Sequence, residues 1–265
     1  MASSNSEKNF LNGKNILVTG ASKGIGKYVA KELALLGANI ILLAQNEKRL
    51  DEIYDDIKEN TQSEPLIINC NLEKLDEEKS QEIANVIAKE YNVLDYVIHN
   101  AATVEKMTNI ENISLKTWEK ILKVNLTSSF LLTKYLIPLM DLAEMPRIIF
   151  TSSGVAFKGE AFWGAYSVSK SGVKVLSEIL NDEMDHKKNF KVFNFNPKAT
   201  RTDMRASVFP AENPNQLKEV KELMPYYIWM LSENSNDSSK IHIESVSYTH
   251  LRAHETRHDL VCRLL

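Results

Sequence analysis

Apolar positions along this chain fall into two alternating textures. Short runs such as NILVT, NIILLA and RIIF carry Ile, Val and Leu at consecutive positions, as strands buried on both faces do. Between them lie longer stretches in which apolar residues recur every three or four positions, the spacing of a helix with one buried stripe. The pattern predicts strands at NILVTG, NIILLA, PLIINCNL, LDYVIHNAA, RIIFTSS, FKVFNFNP and SKIHIE. It predicts helices at GIGKYVAKELALLG, EKRLDEIYDDIKEN, DEEKSQEIANVIAKEY, SLKTWEKILKVNLTSSFLLTKYLIPLM, AYSVSKSGVKVLSEILNDEM and PNQLKEVKELMPYYIWMLSE, the fourth of them bent near Pro138.

Strands that alternate with helices imply a parallel sheet covered on both faces. The expected α/β architecture is a single doubly wound Rossmann-type domain over residues 10–244, with about seven strands. Residues 1–9 are a polar lead. In such a sheet, ligands lie beyond the carboxyl ends of the strands, so chemistry is sought at the ends of strands one, four, five and six.

The last residues change the picture. From about Ser245 the chain reads SVSYTHLRAHETRHDLVCRLL, and His250, His254 and His258 follow one another at helical spacing that suits a metal stripe. The string also resembles a translated sequencing adapter followed by primer sequence. We read residues 245–265 as a non-native tail, exclude them from the fold, and expect no metal site. The natural C-terminus is then expected to be missing.

The composition is that of a soluble domain: 43% hydrophobic and 25% charged, with a net charge of −3. That charge gives no footprint for nucleic acid or an anionic membrane. No signal-like or membrane-spanning segment is present, and two cysteines imply no disulfide framework, so a cytoplasmic protein is expected.

Four motifs carry candidate chemistry. After the first strand, TGASKGIG keeps Cβ atoms out of the turn at Gly20, Gly24 and Gly26, which lets a pyrophosphate reach the backbone and the next helix's amino end. The fourth strand ends in HNAA and the fifth in SS. Tyr166 and Lys170 lie one helical turn apart in AYSVSK, thirteen residues after the second serine, Ser153. An isolated Tyr–Lys pair at this spacing is ordinarily a surface contact. Its place in the ordered set is what gives it weight.

Together TGASKGIG, HNAA, the serine–tyrosine–lysine spacing and NPKATRTDM resemble the short-chain dehydrogenase/reductase family over nearly all of residues 10–244. WGAYSVSKSG and TRTDMRASVFPAENPNQLK resemble its YciK-like branch of bacterial oxidoreductases. The resemblance implies a catalytic set of Ser153, Tyr166, Lys170 and Asn125. Tyr166 would exchange a proton with a carbonyl or alcohol oxygen that Ser153 also holds. Lys170 would hold the nicotinamide ribose, and Asn125 a water. A phenol of ordinary pKa 10 is a poor base at neutral pH, and lowering it by about 3 units needs roughly 4 kcal/mol. The Lys170 ammonium and an oxidised nicotinamide are expected to supply this.

The implied cofactor contacts are Gly20, Ser22, Lys23, Gly24, Ile25 and Gly26 in the first turn, with Gln45, Asn71 and Leu72 after the next two strands. Asn100 and Ala101, then Tyr166 and Lys170, then Pro197, Thr200 and Thr202 complete them. Strand two ends at Ala44 without the acid that grips both ribose hydroxyls, and Lys23 is placed to pair with a 2′-phosphate, so NADP(H) is expected over NAD(H). Gln45 stands where many relatives carry arginine. Three departures from the family pattern are Ala102 and Lys198 at usual glycines, and Asn71 at a usual aspartate.

Each group also has a plainer reading. Ser152 is an alternative serine, and Asn125 and His99 suit buried structural bonds. Phe162 and Trp163 are packing residues or the wall of a substrate pocket that includes Ser153. The expected activity is hydride transfer between nicotinamide and a carbonyl or secondary alcohol by a homo-dimer or homo-tetramer. Alternatives are a cofactor-binding scaffold or sensor without useful turnover, and a 3-oxoacyl-carrier reductase with a basic entrance.

Overall fold

A computed structural model describes residues 10–187 and 189–245. The suspected histidine stripe and nearly all of the suspected tail lie outside these residues, as does the polar lead.

Seven parallel strands form one sheet: β1 (Asn15–Thr19), β2 (Asn39–Ala44), β3 (Leu66–Asn69), β4 (Tyr96–His99), β5 (Arg147–Thr151), β6 (Lys191–Asn196) and β7 (His242–Glu244). The order across the sheet is β3-β2-β1-β4-β5-β6-β7. The chain therefore winds outward one way from β1 and the other way from β4, opening a crevice between their carboxyl ends.

Consecutive residues of one strand feed opposite cores. Ile16, Val18, Ile40 and Leu42 pack on one side with Val29 and Leu33 of helix α1 (Gly24–Leu35) and Ile53 of α2 (Glu47–Asn60). Leu17, Ile41 and Leu43 pack on the other with Ile87 of α3 (Glu77–Tyr91) and Leu132 and Leu136 further along. Strands buried on both faces need no polar alternation, which is why the apolar runs are continuous. Helix starts follow local chemistry: the side chains of Asn46 and Asp76 accept from the Arg49 and Lys79 backbone N–H groups at 3.0 and 2.8 Å.

Two helical expectations need correction. The long fourth pattern is interrupted at Asn125. It runs as α4 (Leu115–Leu122), a π-helical turn Lys123–Thr127, and α5 (Ser128–Met140), which contains Pro138. The wider turn follows from Asn125, whose amide bonds both backbone groups of Thr103 and the Ser169 hydroxyl and so fixes that residue against two other segments. After α6 (Gly164–Met184) and a short α7 (Asp203–Val208), the sixth pattern is broken as well. Lys218 pairs with Thr200 in a parallel bridge, leaving only α8 (Met224–Leu231) as α-helix, with Pro225 in its first turn.

The sheet edge runs one residue past the expected domain boundary. Ser245 donates from its backbone to the Asn196 carbonyl and from its hydroxyl to the Pro197 carbonyl at 2.6 Å. No helix among the described residues is long and apolar enough to cross a membrane.

Candidate active site

The carboxyl ends of β1, β2, β4, β5 and β6 open onto one cleft of ≈ 1020 Å³. At its centre the β1–α1 turn is tied to β4 through Thr19. The Thr19 hydroxyl accepts from the backbone N–H groups of Asn100 and Ala101, both at 3.0 Å, while the Asn100 amide donates to the Thr19 carbonyl at 3.1 Å. These bonds hold the turn open at the crevice mouth.

The turn itself fits a diphosphate. Gly20 and Gly24 take φ of +67° and +55°, a region glycine enters without strain. A Cβ on Gly26 would stand 2.4 Å from the Gly20 carbonyl oxygen, so the turn can fold this tightly only without one. The amino end of α1 has neither a side-chain cap nor an acid in its first turn, leaving N–H groups and a positive dipole end to an anion. The residues present fit the pyrophosphate of a dinucleotide.

Every other expected cofactor residue lines this cleft, Gly26 lying behind the turn. Asn71 spends one acceptor position on the Glu73 N–H at 3.0 Å and keeps another. Lys198 holds φ +55°, so a side chain occupies the left-handed conformation for which glycine is favoured, and its ammonium pairs with Glu244 at 2.7 Å. Sequence reasoning missed Arg49 on α2, which lines the same end as Lys23. Neither side chain has an ion pair among the described residues. The missed signal was that the first turn of α2 begins directly after β2, within reach of a ligand there.

On the opposite wall, α6 presents Tyr166 and Lys170 to the cleft, and the segment after β5 presents Ser153. The Ser153 and Tyr166 hydroxyls share a hydrogen bond. Burial of the hydroxyl outweighs that bond and pushes the phenol up to about 12. Lys170 is 3% exposed, donates to the Thr151 carbonyl at 2.7 Å, and stands 5.8 Å from the Tyr166 ring centroid. Burial pushes its amine down to about 8. The expected lowering of the phenol involves the oxidised nicotinamide as well as Lys170, and the protein alone does not supply it. In the protein alone the pair is a protonated phenol beside a weakened cation, because both groups lose water and neither gains a carboxylate.

That shift carries a test. A lysine with depressed folded pKa costs stability fully below about pH 8, and the cost fades as pH rises toward the ordinary value of about 10.4. Comparing melting temperatures of wild type and Lys170→Met, the difference is expected to move in favour of wild type between pH 8 and 10. A pH-independent difference contradicts the buried amine.

Two expected site residues, Asn125 and Phe162, sit apart from the cleft lining, and His99 has the buried structural place expected of it. Asn125 is 1% exposed, and its side chain is saturated by Thr103 and Ser169 rather than facing Lys170. Phe162 is 55% exposed at φ +73° and lines a separate cavity of ≈ 300 Å³ behind Trp163. His99 is buried, stacked on Phe150 and bonded to Thr133 at 2.9 Å. Burial pushes it down to about 3, so it is neutral and structural. Trp163 does wall the cleft, with Phe209 beside it at 6.0 Å between ring centroids; Phe209 was not anticipated.

The comparisons agree with this geometry. A family profile described as short chain dehydrogenase matches residues 14–213. The uncharacterized oxidoreductase YciK of Escherichia coli (strain K12) is 37% identical over 229 residues, 86% of this chain and 90% of that protein. The 3-oxoacyl-[acyl-carrier-protein] reductase FabG of Aquifex aeolicus (strain VF5) is 30% identical over 79% of this chain and 82% of its own. A crystal structure of a short chain dehydrogenase from Escherichia coli CFT073, complexed with NADPH, matches with a TM-score of 0.86 at 36% identity, covering 89% of this chain and 98% of that one. The chain belongs to the short-chain dehydrogenase family of oxidoreductases.

Proposed function

We propose that this protein is an NADP(H)-dependent oxidoreductase that interconverts a carbonyl compound and its alcohol, with Tyr166 as the general acid and base. The observation that carries the reading is the meeting of Ser153, Tyr166 and Lys170 on one wall of a cleft whose far end is built for a dinucleotide. When bound, the nicotinamide supplies or takes the hydride at the carbonyl carbon. The Tyr166 phenol, protonated across the neutral range, gives its proton to the carbonyl oxygen during reduction and recovers one from solvent afterwards. The Ser153 hydroxyl donates to the same oxygen and lends it the second bond that developing negative charge requires. Lys170, held by Thr151 below the phenol, orients the ribose and stabilises the phenolate left behind.

The 2′-phosphate reading rests on charge. Ala44 leaves no carboxylate at the end of β2, and Lys23 and Arg49 line the cleft there with no ion pair among the described residues. The NADPH found in the Escherichia coli CFT073 relative supports the same choice. Lys23→Glu is expected to raise the dissociation constant for NADPH about tenfold or more, the scale of one charge-assisted hydrogen bond. NADH affinity should change far less, and equal losses for the two, read by nucleotide fluorescence, contradict the assignment.

A homo-dimer or homo-tetramer fits the outer face of α6, where Val168, Val175 and Ile179 are 47%, 49% and 50% exposed along one stripe. The activity is tested by following NADPH absorbance against a carbonyl panel, where cofactor binding without consumption across the panel contradicts it.

A further inference from the structure

The nicotinamide end of the cleft has a chemical character that limits what can enter it. Its apolar wall is aromatic. The Trp163 ring lies 5.4 Å from Tyr166 and 6.0 Å from Phe209, centroid to centroid, with the planes tilted by 42° and 50°. The Arg205 guanidinium lies 3.9 Å from the Phe209 centroid, so the phenyl ring is backed by a flat cation. Met204 and Val208 of α7 line the same side.

The cations here are neutralised. Arg205 is held bidentately by Glu212, with both bonds at 2.7 Å. Lys198 is paired with Glu244 and Lys120 with Glu105, each at 2.7 Å. Lys170 is the buried amine already placed beside Tyr166. Glu160, whose carbonyl accepts from the Trp163 backbone N–H, lines the cleft beside that ring and has no ion pair among the described residues. Lys23 and Arg49, which have no ion pair among the described residues, lie at the other end, where the resemblance places the cofactor's adenosine.

A carboxylate or phosphate brought against Trp163 meets the Glu160 carboxylate, and the cations of Arg205, Lys198 and Lys120 are already paired. It loses water without a partner, which is costly. A neutral ring loses little and gains aromatic packing on Trp163 and Phe209. Behind Trp163 the smaller cavity of ≈ 300 Å³, walled by Met107, Ile113, Ile121 and Phe162, gives room for a substituent. Lys106 lines that cavity rather than the cleft.

We propose that the substrate is a neutral carbonyl compound whose flat apolar ring packs on Trp163 and Phe209, and that paired cations and the Glu160 carboxylate disfavour an anionic group beside that ring. The disfavoured class contains 2-oxo acids and other carbonyl compounds with an anionic group close to the reacting carbon. This rests on the hydride-transfer reading and narrows its substrate.

The test uses the full chain with NADPH and matched aldehydes: benzaldehyde, 4-carboxybenzaldehyde and hexanal. Benzaldehyde is expected to exceed its carboxylate analogue about tenfold or more in kcat/KM, the scale of one unpaired buried charge. Trp163→Ala should lower the benzaldehyde-to-hexanal ratio of kcat/KM about tenfold, through KM more than kcat. Glu212→Gln, which frees Arg205, should raise kcat/KM for the carboxylate severalfold. Quenching of tryptophan fluorescence by benzyl alcohol and by benzoate, with NADP+ present, reads the same preference without turnover. Benzoate bound as tightly as benzyl alcohol overturns the proposal. So does a carboxylate aldehyde that is reduced as fast as benzaldehyde. An unchanged ratio in Trp163→Ala also overturns it. Full turnover by Tyr166→Phe is a separate result, which refutes the proton-transfer reading and leaves the ring preference standing.

Discussion

Tyr166→Phe is expected to lower NADPH-dependent turnover by about 10²–10⁴-fold, the contribution of a positioned general acid, while leaving NADPH affinity nearly intact. The substitution removes one oxygen. The ring stays on α6 against Trp163, so the wall of the cleft is preserved. What is lost is the proton donor at the carbonyl oxygen and the bond to Ser153. With the phenol pushed up to about 12 by burial, the acid form dominates throughout the neutral range. The wild-type rate of reduction should therefore stay level with rising pH until the alkaline limit. The oxidation direction should climb with pH, because it needs the phenolate.

Gly26→Ala is the second large effect, and its origin is steric. A Cβ there would stand 2.4 Å from the Gly20 carbonyl oxygen and 2.5 Å from the Asn100 side-chain nitrogen. Real Cβ contacts do not come this close, so either the Gly20–Gly24 turn shifts or Asn100 releases Thr19. Overpacking of this kind costs ~1–3 kcal/mol. Either movement also displaces the N–H groups that would meet the pyrophosphate. The expected outcome is a lower melting temperature together with NADPH binding weakened by more than about tenfold. Gly159→Ala is the control, since its nearest neighbour, the Ser167 hydroxyl, is 3.9 Å away. Full NADPH affinity in Gly26→Ala contradicts the steric account.

These two residues were legible in the sequence for the same reason. Gly26 sits in a turn whose conformation is local, and Tyr166 and Lys170 sit one turn apart on a helix, so spacing alone puts them side by side. The sheet was legible because burial on both faces leaves continuous apolar runs. What escaped depends on contacts between distant segments. The π turn at Asn125 is set by bonds to Thr103 and Ser169, which lie 22 and 44 residues away. The last helical pattern was shortened by the Thr200–Lys218 bridge, which apolar periodicity does not register. Phe162 and Trp163 are neighbours in the chain, yet the positive φ of Phe162 turns the backbone between them, and Trp163 meets the cleft wall while Phe162 does not. Spacing reports the proximity of Tyr166 to Lys170 and says nothing of the water both groups lose on burial.

The ring preference and the choice of cofactor both presuppose a working site, so the most direct test follows the atom that site would move. NADPH carrying deuterium at both positions of nicotinamide C4 is mixed with the enzyme and an aldehyde that it consumes. The alcohol is then analysed for label. We expect one deuterium on the alcohol carbon from the wild-type protein, and the same label formed far more slowly by Tyr166→Phe. Unlabelled alcohol, or bound NADPH that no carbonyl discharges, contradicts the assignment of this cleft to hydride transfer.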